Sequence, residues 1–156
     1  LLELRASRAR EGAALAAELR GRLTLLREHT EIIAAQAAAQ PEVLRRRLEE
    51  RVARLVQAAG PALPSLDPQR LAQEVAYLAD RSDITEELAR LRAHFEEFAR
   101  QCDADKAGRR LDFLTQELNR EVNTIGSKSQ SAEIAARVVA MKAELERLRE
   151  QIQNVE

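Results

Sequence analysis

The chain has 156 residues, a net charge of −1, and 45% hydrophobic against 33% charged side chains, a balance that gives no global electrostatic pull toward nucleic acid or a membrane surface. Aromatic residues make up 3%, which argues against base-stacking platforms of the RRM or OB type, and no run of about 18 apolar residues is present to span a bilayer. One cysteine, Cys102, excludes an internal disulfide and fits a reducing cytosol.

Taken in order, Leu15, Leu19, Leu23, Leu26 and Ile33 fall at helical spacing with few breakers. They predict a first helix from Leu1 to about Gln40, roughly 50 Å long at ~1.5 Å per residue. Leu1 is not a methionine and the pattern is already under way there, so a piece of a longer protein is expected. Pro41 suits the N1 position of a second helix with Leu44, Leu48, Val52 and Leu55 inward. The Gly60-Pro61-Ala62-Leu63-Pro64-Ser65 run is the clearest loop, the tip of a long hairpin over 1–66.

A helical core over 67–156 follows. Asp67-Pro68 restarts a helix by cap and N1 chemistry, with Leu71, Val75 and Leu78 as its stripe. At Ser82-Asp83 the register shifts to Ile84, Leu88, Leu91, Phe95, Phe98 and Cys102, and Asp83 with Glu86 resembles a capping box. Cys102 to Asp105 closes that helix or marks a turn. Gly126 is expected to be a left-handed C′ residue, and Ser131 a cap for a last helix with Ile134, Val138, Met141, Leu145, Leu148, Ile152 and Val155 at heptad spacing. The expected fold is all-α: an extended antiparallel helical hairpin plus a helical bundle, five or six helices, no sheet.

The stretch from Gly108 to Ser129, GRRLDFLTQELNREVNTIGSKS, stands apart. On a helix, Leu111, Leu114, Leu118, Val122 and Ile125 form one apolar stripe. Asp112, Gln116, Asn119 and Asn123 form a second, and Phe113, Glu117, Arg120 and Thr124 a third, with Glu121 beside the apolar one. Asn and Asp are poor helix formers because their side chains compete for backbone hydrogen bonds. Repeating them through one helix implies a demand other than helix stability.

No Walker loop, GxGxxG, CxxC or HExxH is present, which removes phosphate-loop, dinucleotide and common zinc readings. Of the two histidines, His29 lies among Arg27, Glu28 and Glu31 and reads as a surface residue. His94 shares a helix face with Asp83, Glu87, Arg90 and Glu97. Carboxylates and an imidazole at one-turn intervals can hold a divalent cation or supply acid and base groups, or simply form a salt-bridged solvated face. Glu117 and Glu121, and Asn119 and Asn123, are likewise i,i+4 pairs, bracketed by Arg109, Arg110, Arg120 and Lys128, which can contact phosphates. Periodicity leaves an active site and a hydrogen-bonded polar seam equally open.

Longer motifs shift that balance. Arg8-Ala9-Arg10-Glu11-Gly12, Asp83 through Leu91 with His94, Gly108-Arg109-Arg110-Leu111-Asp112-Phe113, Gln116-Glu117, Asn119-Arg120-Glu121, Asn123-Thr124, Ser127-Lys128-Ser129, Lys142 through Glu146 and Arg149 through Glu156 together resemble the C-terminal part of the YicC/YloC family of bacterial proteins. The resemblance covers nearly the whole chain and leaves the family's N-terminal domain outside it. It implies a cytoplasmic, stress-linked endoribonuclease, dependent on a divalent metal and assembling as a ring-like homo-oligomer of hexamer type, with RNA rather than DNA or a membrane as partner.

Carried over residue by residue, the resemblance implies catalytic roles for Glu87, His94, Glu117, Glu121, Asn119 and Asn123. With an RNA substrate, Arg90, Arg109, Arg110, Arg120 and Lys128 are expected to position the phosphate backbone. Mn²⁺ or Mg²⁺ would be held among Glu87, Glu117, Glu121, Asp83 and Asp112, since oxygen-rich ligands suit those ions. The alternatives are a helical oligomerisation or interaction module, or an RNA-binding protein without catalysis of its own.

Overall fold

The computed structural model describes residues 2–60, 67–102, 104 and 107–153, with side chains from residue 10 onward. Among them are five helices and no strand: α1 (Leu2–Ala59), α2 (Pro68–Arg81), α3 (Thr85–Gln101), α4 (Gly108–Lys128) and α5 (Ala132–Gln153). The all-α expectation holds.

The local chemistry explains most boundaries. Asp67 caps α2, its Oδ1 accepting from the Gln69 N–H at 3.0 Å, with Pro68 in the first turn. Asp83 Oδ1 accepts from the Thr85 N–H at 2.9 Å and from Thr85 Oγ1 at 2.5 Å, fixing the entry to α3. Glu86 does not complete a capping box there; its carboxylate pairs with Arg90 at 3.4 Å. Ser131 Oγ accepts from the Ile134 N–H at 3.4 Å at the start of α5.

Two expectations are corrected. Pro41 does not open a new helix: α1 runs through it as one element of 58 residues, about 87 Å long at ~1.5 Å per residue. Proline removes one N–H bond and crowds the preceding turn, but Ile33 before it and Leu44 after it are both buried, so packing on either side carries the helix across. Gly126 is not a left-handed cap either, since α4 continues to Lys128 and Ser129 is its C-cap. A Cβ on Gly126 would lie 3.1 Å from Val138 Cγ1; the glycine lets α4 and α5 approach closely. The loop expected at Gly60–Ser65 and the turn at Cys102–Asp105 lie mostly outside the described residues, as does Val155.

One apolar cluster joins the elements. Leu19, Leu23, Leu26 and Ile33 of α1 meet Leu88, Leu91, Phe95 and Phe98 of α3, the Leu111–Ile125 stripe of α4, and Ile134, Val138, Met141, Leu145, Leu148 and Ile152 of α5. Packing of α4 on α3 and α5 dominates, with α1 laid across α5, α3 and α2. α2 buries no residue fully, and Leu55 (60% exposed) and Tyr77 (57%) stand in solvent where the α1–α2 hairpin leaves the core.

Candidate functional site

α3 and α4 pack side by side, and their facing side chains meet in antiparallel order. At one end Lys128 Nζ donates to Glu87 Oε1 at 2.9 Å and to the Asp83 carbonyl at 3.1 Å. One step along, Arg90 Nε lies 2.9 Å from Glu121 Oε1 while its Nη2 donates to Glu87 Oε1 at 3.1 Å. Toward the other end Arg110 Nη2 reaches Glu97 Oε1 at 3.5 Å. The result is a ladder of charges along the α3/α4 edge.

The two carboxylates in its middle are buried, Glu87 at 3% exposure and Glu121 at 5%. An ionised carboxylate so withdrawn from water must be paired, and Arg90 and Lys128 do the pairing with their outer ends still half in solvent. Each acid spends one oxygen in this way; Glu87 Oε2 and Glu121 Oε2 are buried without a hydrogen-bond partner. Burial pushes the Glu87 carboxyl up, but the Lys128 hydrogen bond, a backbone hydrogen bond and the charges of Lys128 and Arg90 outweigh it, and the net direction is below the usual carboxylate range. Arg90 is held protonated still more firmly than usual, chiefly by its hydrogen bond to Glu121. The Thr85 bonds likewise hold Asp83 below its usual value.

The same register brings His94 level with Glu117. On α3, His94 lies within roughly 20° of Glu87 about the helix axis, and on α4 Glu117 lies within roughly 40° of Glu121. Both side chains are half-buried. Neither has a hydrogen bond or ion pair among the described residues, in a row whose other members are engaged.

The remaining candidates lie elsewhere. Asp112 is half-buried on the α5 side of α4, where Gln116 donates to its Oδ2 at 2.8 Å and Arg149 stands 3.9 Å from Oδ1. It does not join Glu87 and Glu121. Arg109, Asn119, Arg120 and Asn123 are all exposed on the outward face of α4. His29 is half-buried rather than exposed, with Arg137 Nη1 at 3.4 Å from its Nδ1. Sequence reading missed the exposed ring of Phe113, which lies under the Arg110 guanidinium at 5.2 Å from the ring centroid. Its position between Arg109, Arg110 and Arg120, off the apolar stripe, was the available signal.

No group of three or more His, Cys, Asp or Glu side chains close enough to hold an ion occurs among the described residues. Asp83 is committed to Thr85, Asp112 to Gln116, and Glu87 and Glu121 to Arg90 and Lys128. Glu117 is the one acid of the expected five left unengaged. Of these acids only Glu117 would be left to hold an ion, as a single ligand of a hydrated Mg²⁺-like cation.

Comparison with known proteins agrees with the motifs. The family model described as "Endoribonuclease YicC-like, C-terminal" matches residues 33–156. The chain is 44% identical over 157 aligned residues to "Probable endoribonuclease YicC" of Clostridioides difficile, covering all of this chain and 52% of that protein. It is 43% identical to the protein of the same name from Haemophilus influenzae, with the same coverage. The chain spans about half the length of these curated relatives. It belongs to the YicC-like C-terminal family.

Proposed function

We propose that this chain is the helical half of an endoribonuclease and that its α3/α4 edge carries the cleaving groups. The observation that supports this most directly is the gap in the ladder: His94 and Glu117 stand level in the α3/α4 register, half-open to solvent and unpaired among the described residues, between the Arg90–Glu121 and Arg110–Glu97 pairs. Imidazole and carboxylate are the usual proton-transfer groups. In hydrolysis of an RNA phosphodiester, a water oxygen adds to phosphorus and the bond to the leaving ribose oxygen breaks. One member of the pair takes the water's proton and the other returns a proton to the leaving oxygen.

In this reading Glu87 and Glu121 are positioning residues. They fix Arg90, whose three guanidinium nitrogens each lie against a carboxylate of Glu121, Glu87 or Glu86, and Lys128, whose remaining ammonium N–H is left to hold the phosphate. A divalent ion, Mn²⁺ or Mg²⁺, would be held by Glu117 together with substrate phosphate and would polarise a phosphoryl oxygen. Cytoplasmic action in stress-linked RNA turnover and a homo-oligomer of hexamer type belong to the same proposal and rest on the family resemblance.

The test is cleavage of a structured RNA by the full-length protein in Mn²⁺, Mg²⁺ or EDTA, beside Glu117→Gln. Cleavage is expected to fall at least 100-fold, on the order of what one positioned proton-transfer group contributes, with thermal stability and particle mass unchanged. Retained activity in that variant would sink the assignment. Loss of the oligomer before loss of activity would favour the interaction-module reading.

A further inference from the structure

The outward face of α4 is unlike an ordinary solvated face. Arg109, Phe113, Gln116, Arg120, Asn123 and Ser127 lie together on it, all exposed, and Arg109 to Arg120 spans roughly 17 Å along the axis. Arg109 and Arg120 have no ion pair among the described residues, whereas Arg90, Arg92 and Arg100 of α3 are each ion-paired. Of the chain's three phenylalanines, Phe95 and Phe98 are 1% and 0% exposed, but Phe113 is 46% exposed with Arg110 over its ring. A single exposed apolar side chain needs no explanation by itself. A ring flanked by unpaired arginines, on a helix loaded with amides that weaken it, does.

We infer that this face binds a single strand of RNA by stacking one nucleobase on Phe113. Arg109 and Arg120 contact the flanking phosphates, and Gln116 and Asn123 supply hydrogen bonds to sugar or base edges. This rests on the proposed RNA-cleaving role and adds the substrate's form: an unpaired nucleotide, because a base inside a duplex cannot offer its face to a ring. The unpaired arginines favour a polyanion over a second protein surface. One ring suffices for one base, so the scarcity of aromatics in the chain is no obstacle. Arg110, already on the ring, extends the stacking surface rather than blocking it.

The experiment uses the full-length protein carrying Glu117→Gln, so that RNA persists, and measures binding by fluorescence anisotropy. The probes are a labelled oligoadenylate of about 12 nucleotides, within the usual single-strand site size, and an oligomer of the same length lacking its bases. Phe113→Leu is expected to weaken oligoadenylate binding about tenfold, the scale of one stacked base, and to leave the abasic oligomer unchanged. Phe113→Tyr keeps full affinity, and Arg120→Ala weakens both probes. Equal binding of oligoadenylate by Phe113→Leu and its parent overturns the stacking site. So does a change in particle mass in Phe113→Leu, which would make the face a contact between copies. Failure of the parent to bind either oligomer removes the RNA-cleaving reading itself, and this inference with it.

Discussion

Two faces of α4 carry polar and charged side chains under opposite constraints. Toward α3, Glu121 is 5% exposed and its position is fixed by Arg90, while Lys128 is tied to Glu87. Toward solvent, Arg109, Asn119, Arg120 and Asn123 are exposed and hold no partner among the described residues. On the first face charge is consumed by the fold; on the second it is left for something else. Arginine or asparagine in a helix therefore says little until it is known which side of the helix it lies on and what faces it there.

The contrast is sharpened most strongly on the core stripe that anchors both faces. Leu118 is fully buried there, and Leu118→Ala should cost about 2–5 kcal/mol, the lost transfer energy plus the cavity. Phe113→Ala, on the same helix, should stay within about 0.5 kcal/mol. Denaturant unfolding of the two variants decides it: equal losses would mean that Phe113 is buried in the working protein.

How much of this was legible in the sequence follows from the range of each signal. The Leu111–Ile125 stripe and the α5 heptads were legible because helical periodicity is local and burial follows it. Pro41 and Gly126 were misread because the local rule, proline starts and glycine stops, lost to packing that the rule does not contain: Ile33 and Leu44 carry α1 past its proline, and Val138 sets the need for a glycine. The separation of Asp112 from Glu87 could not be read from spacing along one helix, since it depends on which neighbour each face meets. The Arg90–Glu121 and His94–Glu117 alignments lie between these cases. Few residues separate α3 from α4 in the sequence, which favours antiparallel neighbours, so the facing residues were partly within reach.

An intermediate effect is expected from pH. The folded Glu87 carboxyl lies below its ordinary value of 4.5, so between the two titration ranges the native state binds fewer protons than the unfolded chain and stability rises with pH. The contribution is complete above the unfolded pKa and is lost as pH falls through the folded one. Glu87→Gln, which keeps the shape but not the charge, should be less stable than the parent at about pH 7 and approach it at about pH 3. A difference independent of pH would mean that the Lys128 and Arg90 contacts stabilise by geometry alone.

The smallest effect is the most pointed, because its expected sign is opposite. Asn119 and Asn123 are exposed in mid-helix without partners, and alanine forms helix better than asparagine by roughly 0.5 kcal/mol per position. Asn119→Ala with Asn123→Ala should therefore raise stability by about 1 kcal/mol, summed over two sites a turn apart. If the outward face serves RNA, particle mass is unchanged and affinity for single strands falls. If it is a seam between copies, the double variant loses stability and the assembly shrinks, because the amides then leave unpaired partners behind. A gain in stability with a loss of RNA binding would show that the helix tolerates a weaker sequence here for the sake of its ligand.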